Sequence, residues 1–239
     1  MWWKLVRSEW LKLRKTNIWL LIFISPALAS FIGFLSESEL GWLGTLGMMI
    51  PAHGLLFLPL LSGVFSAFVC RYEHQGNSWK QLLALPVSRR QVFLAKGFIV
   101  IVFLAFTQLL LLFGWVCVGT LKGFSGPFPW ELMTKSIVGG LIASLPLAAL
   151  QLWVSFAWAS FAAPLALNVI MTIPNLLVVN SAKYGPWYPW AQPFLMMMPQ
   201  TGDTFGVFFM PMETLIYVVL GSFVLFLSGG LLYFQKKAV

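Results

Sequence analysis

SIVGGLIASLPLAALQLWVSFAWASFAAPLALNVIMTIPNLLVVNSA, residues Ser136 to Ala182, runs without one charged side chain. A helix needs about 20 apolar residues to cross a bilayer, so this stretch is too long for one span and suits two. The break belongs near Ser160 to Pro164, because proline cannot continue the helical hydrogen-bond ladder. The pair 137–159 and 162–180 then joins four further apolar runs, 17–35, 46–69, 97–119 and 214–234. The reading is an all-α integral membrane protein of six transmembrane helices forming a single unit over residues 1–239. Composition agrees: 59% of residues are hydrophobic and 9% charged, with a mean hydropathy of +0.86, whereas a soluble domain carries roughly a quarter charged residues. The first run follows a basic, Trp-containing segment and passes Pro26 without a small-residue cleavage site, so it reads as a first span and not as a removable signal.

The net charge of +8 suggests nucleic acid in a soluble protein; here its distribution points to the membrane. With six spans and the N-terminus inside, segments 1–16, 70–96 and 235–239 hold every basic residue except Lys122, Lys135 and Lys183. Outer loops carry Glu37, Glu39, Glu131, Asp203 and Glu213. The positive-inside rule therefore places both termini in the cytoplasm, and the expected location is a bacterial plasma membrane. Cys70 and Cys117 fall at opposite faces, which implies neither a disulfide nor a metal site.

Residues 1–16 form an amphipathic segment. At 100° per residue Trp2, Trp3, Leu5, Val6, Trp10 and Leu13 share one arc, with Glu9 intruding, and Lys4, Arg7, Lys12, Arg14 and Lys15 share the other. This predicts an interfacial helix with its cations towards anionic membrane lipid, or else a plain basic anchor for the first span. Prolines 26, 51, 59, 146 and 174 interrupt spans, which requires neighbours that re-satisfy the freed carbonyls. Gly41, Gly44 and Gly47 are expected in an outer loop.

Between the second and third spans lies RYEHQGNSWKQLLALPVSRRQVFLAK, Arg71 to Lys96. Asn77 or Ser78 can cap a short helix running to Leu85 and stopped by Pro86, and Ser88 with Gln91 makes a capping box for the next helix. Trp79, Leu82, Leu83 and Leu85 give the short helix an apolar surface. Local physics leaves two readings open, a surface for a partner and an interfacial linker that binds nothing.

The pattern Glu73-x-x-Gly76-x-x-Trp79-Lys80-x-Leu82-Leu83-x-Leu85-Pro86-Val87-Ser88-Arg89, with Lys96 beyond it, resembles the signature loop of ABC-2 type permeases, above all the short permeases of lantibiotic-immunity and bacitracin-type peptide exporters. The resemblance implies a cytoplasmic coupling helix in 70–96, seated in a separately encoded ABC ATPase through Glu73, Gly76, Trp79, Lys80, Leu83, Pro86 and Arg89. It further implies that ATP and magnesium are bound by that ATPase and no cofactor by this chain, that a second permease copy or a sister permease completes the assembly, and that an antimicrobial or other amphipathic peptide is the substrate. Lipid and other substrates share the same layout. Sequence leaves open whether Glu73 and Arg89 pair with each other or reach the partner.

Segment 181–213 is aromatic and proline-rich, with Trp187, Tyr188, Trp190 and Phe194 followed by Met196 to Met198. So much apolar surface on a solvated loop would invite aggregation, so the segment reads as re-entrant, before the last span. Its aromatics then serve either as a headgroup-level belt or as a substrate portal. His53, inside the second span, is a candidate polar site by default or a histidine bonded to a broken helix. The chain carries no H-E-x-x-H, no phosphate loop and no acidic residue within a span. Those absences argue against an enzyme, a metal site and an ion-coupled carrier, leaving an exporter subunit or a membrane scaffold.

Overall fold

The computed structural model describes residues 2–14, 16–37, 39, 41–74, 78–83, 86–198 and 212–237. Within them the elements are α1 (Trp2–Arg14), α2 (Ile18–Leu35), α3 (Gly41–His74), α4 (Ser78–Leu83), α5 (Arg89–Leu121), α6 (Trp130–Ala157), α7 (Ala162–Val178), α8 (Gln192–Met197) and α9 (Met212–Lys236). Five of these, α2, α3, α5, α6 and α9, are long and apolar enough to cross a membrane; α7 is apolar but has 17 residues. Gly76, Lys15 and Leu85 lie outside the described residues, as does 199–211 of the expected re-entrant segment.

α5 extends beyond its apolar run, and its polar start is capped. Ser88 accepts from the Gln91 backbone N–H at 3.2 Å while its own N–H donates to Gln91 Oε1 at 3.1 Å, so α5 starts at Arg89. The glycines expected in an outer loop instead build the first turns of α3. The α6–α7 break falls at 158–161, where Trp158 is extended. Pro164 lies in the first turn of α7, a place where its missing N–H costs nothing.

Within α3 the ladder loosens to π-helical turns over Pro51–Phe57. Pro59 has no N–H to offer the Leu55 carbonyl four residues earlier, and Asn175 of α7 supplies the replacement, its Nδ2 donating to Leu55 O at 2.9 Å. Two turns away on the same face of α7, Asn168 Nδ2 donates to Pro59 O and Leu60 O at 3.1 and 3.0 Å. A Cβ at Gly63 would overlap the Asn168 amide, so that glycine is what lets α7 come close. At Pro59 a neighbouring helix thus re-satisfies the freed carbonyl, as lipid requires of a broken helix.

The lowest-exposure interior includes Phe65, Phe93, Phe103, Trp115 and Phe156. Exposed apolar side chains ring it, among them Phe23, Phe31, Phe113, Leu177 and Tyr217, as expected of helices whose solvent is hydrocarbon. α9 lies along α6, with Trp153 filling the space at Gly229 and Phe93 of α5, beside Trp153, that at Gly230. At one end of the bundle Lys122 donates to Ser36 O, tying α5 to α2. The other end carries α1, α4 and most of the basic residues.

Candidate functional site

Four ionised side chains meet at the basic end. Glu9 of α1 and Glu73 of α3 are each 2% exposed, and Lys96 of α5 is fully buried. Lys96 Nζ lies 2.5 Å from Glu9 Oε2 and 2.7 Å from Glu73 Oε2, while Lys12 Nζ lies 2.5 Å from Glu9 Oε1 and 2.6 Å from Glu73 Oε1. Lys96 also donates to Val69 O. Two cations and two anions form a closed square in which every carboxylate oxygen is taken. Such a group survives burial only when fully paired, and here the pairing joins three helices that sequence alone leaves separate.

Glu9 is therefore not an intruder on an apolar arc. It shares the buried face of α1 with Leu5, Val6 and Leu13, whereas Trp3 is 71% exposed. Glu73 pairs with Lys12 and Lys96, which settles its partner; Arg89 goes elsewhere.

The loop after Glu73 is held at two more points. Trp79 of α4 is buried, stacked on Phe156 and Phe234 at ring separations of 5.2 and 5.3 Å. Its Nε1–H donates to His74 Nδ1 at 3.3 Å, and His74 Nε2 bonds Ser155 O at 2.7 Å. Of the apolar side of α4, expected to offer itself to a partner, Trp79 and Leu82 are buried, Trp79 against the ends of α6 and α9, while the Leu83 side chain lies outside the described residues. Lys80, Gln81 and Pro86 remain exposed. Arg89 Nη1 donates to Phe234 O, Gln235 O and Lys237 O at 3.1, 3.2 and 2.5 Å, closing the C-terminus of α9, where a cation also complements the helix dipole. Lys237 Nζ does the same for α6 through Phe156 O at 2.6 Å, and its partial burial pulls its pKa below the ordinary lysine value.

At the opposite end the expected portal residues separate. Trp187 is 70% exposed, but Trp190 and Phe194 are buried. Trp190 Nε1 donates to Asn168 Oδ1 at 2.9 Å and Tyr188 donates to Met171 O, so both serve packing around α7. The α8 turn is buried throughout. Nearby a cavity of about 530 Å³ opens between Leu43, Trp130, Lys135, Met196 and Met198. His53 is fully buried, with Nδ1 2.8 Å from Ser25 Oγ, a hydroxyl of α2. Among the described residues no three His, Cys, Asp or Glu side chains converge on a metal position.

Sequence reasoning missed the roles of Lys12, Asn168 and Asn175. The asparagines carry a legible signal, being polar residues seven apart in an apolar helix, near prolines of another span. Residues 5–175 match the model of a family described as ABC-2 family transporter protein. A relative, the bacitracin transport permease protein BCRB of Bacillus licheniformis, is 23% identical over 189 residues, covering 76% of this chain and 85% of the relative.

Proposed function

The chain belongs to the ABC-2 family of transporter proteins, and from that premise we propose that it is the membrane subunit of an ATP-driven exporter whose loop between α3 and α5 receives the stroke of a separate ATPase. One observation carries the reading. A single loop is tethered before, within and after its short helix, by Glu73 to α1 and α5, by Trp79 to α6 and α9, and by Arg89 to α9. A push on the exposed Lys80–Gln81 edge of α4 then reaches α6 and α9 through the buried Trp79. In this reading the basic end faces the cytoplasm, both termini lie there, and a second permease copy or a sister chain completes the transporter.

The substrate class follows from the relative's name and not from a residue: an amphipathic antimicrobial peptide of the bacitracin kind, met near Trp187 and the Met-lined cavity at the far end. Thioether surfaces adapt to varied ligands. ATP and magnesium belong to the ATPase. The test is affinity purification of the tagged chain in mild detergent, with mass spectrometry and an ATPase assay. An ATPase that co-purifies, and that is lost with Lys80→Glu, supports the reading. A chain that never brings down an ATPase is a scaffold, and one that stimulates an ATPase without peptide dependence is a permease for lipid or another substrate.

A further inference from the structure

The polar side of α1 is not a uniform solvated face. Lys4, Arg7, Leu11 and Arg14 follow one another at helical spacing along it, and with Tyr72 of α3 they line an open groove of about 890 Å³ floored by Lys12. Lys12 is neutralised by the ionic square beneath. Among the described residues no carboxylate pairs with Lys4, Arg7 or Arg14. The two acids nearest in sequence, Glu9 and Glu73, are turned away and saturated. The groove thus presents three uncompensated cations, a tyrosine side chain and one leucine, 49% exposed, in their midst.

We propose that this groove is a binding site for the headgroup of an anionic phospholipid, the phosphate held by Lys4, Arg7 and Arg14 and the glycerol end resting on Leu11. The position of α1 favours a lipid over an acidic protein surface. Trp3, next to Arg7 and Arg14 on the helical wheel, stacks edge-on against Phe98 at 6.3 Å, and Phe98 is an exposed residue of the membrane-spanning α5. An indole in that place sits at headgroup level, so the cations beside it meet phosphates. Lys12 floors the site and belongs to the Lys12–Glu9–Glu73–Lys96 square, so a bound lipid touches one member of the ion pairs joining α1, α3 and α5. The proposal needs only that the spans sit in a bilayer, so its failure leaves the export reading intact.

The test uses the full chain purified in uncharged detergent, supplied with dioleoyl phosphatidylglycerol or dioleoyl phosphatidylcholine and read by native mass spectrometry. Phosphatidylglycerol is expected to be retained preferentially, less so as salt rises, with a loss of about fivefold for each cation removed in Lys4→Gln, Arg7→Gln and Arg14→Gln. The control triple Lys80→Gln, Arg90→Gln and Lys236→Gln removes as much charge from the same end and is expected to retain the lipid. Equal retention by wild type and groove triple overturns the site, as does an equal loss in the control. Competition by millimolar inorganic phosphate as effective as by lipid reassigns the groove to free phosphate. A groove triple that keeps the lipid but loses a co-purifying ATPase makes the groove a protein dock. Should the triple fail to fold, single Arg7→Gln and Arg14→Gln, both on the exposed face, give the partial losses or refute them.

Discussion

Lys96 Nζ lies 2.5 Å from Glu9 Oε2, across 87 residues of chain, and both side chains are buried. The contact fastens the N-terminal helix to the start of α5, and Glu73 on the same ammonium adds the end of α3. Each of these groups would be prohibitively costly alone and is stable in company.

Lys96→Met is expected to destabilise the protein by about 3–5 kcal/mol, because it leaves two buried carboxylates sharing Lys12. Adding Glu9→Gln and Glu73→Gln should recover much of that loss. Thermal unfolding of the purified chain in detergent checks both. A triple variant no more stable than the single would show that the stranded carboxylates are not the source of the loss.

Trp79→Ala removes an indole packed against the Phe156–Phe234 ring pair and should cost up to about 3–5 kcal/mol, with proteolysis of the 75–88 loop accelerated. Lys80→Ala should leave stability within about 0.5 kcal/mol of wild type. Under the proposed function both reduce stimulation of the ATPase, Trp79→Ala by unseating α4 and Lys80→Ala by altering its exposed edge. Limited proteolysis alongside the ATPase assay separates the two causes.

Asn175→Leu strips the Leu55 carbonyl of its donor beside Pro59 and should cost about 1–2 kcal/mol, the range for polar contacts between membrane helices. Gly63→Ala forces the Asn168 amide aside and should be at least as damaging. Hydrogen exchange across 51–60 is the readout, with faster exchange expected in both variants.

Trp187→Ala should leave thermal stability unchanged, since its ring is exposed, whereas Trp190→Ala should lower it by breaking the bond to Asn168. Loss of peptide resistance in Trp187→Ala at normal protein levels supports the portal; unchanged resistance removes Trp187 from it.

Arg89→Gln should fray the end of α9, at a cost of about 1–2 kcal/mol for a partly buried cation at a helix C-terminus. Carboxypeptidase trimming of the C-terminus, faster in the variant, is the check. Trimming at the wild-type rate would mean that Lys237 and the packing of Phe234 hold the end without Arg89.

Much of this protein is legible along the chain because hydrocarbon imposes a one-dimensional rule: a span needs an uninterrupted apolar length, and 136–182 can only be two helices. The capping box at Ser88 and Gln91 is legible for the same reason, being local. What only the tertiary structure decided is where the polar residues go. Glu9 looks like a defect on an apolar arc, Glu73 and Arg89 could pair with each other or reach another protein, and Trp79 could serve a partner or a plain linker. In the fold Glu9 and Glu73 share Lys96, Arg89 closes a helix that starts more than a hundred residues later, and Trp79 is buried. Apolar burial follows from composition and period, whereas an ion pair or a carbonyl cap depends on which helix ends meet, and that is fixed only when the whole bundle packs.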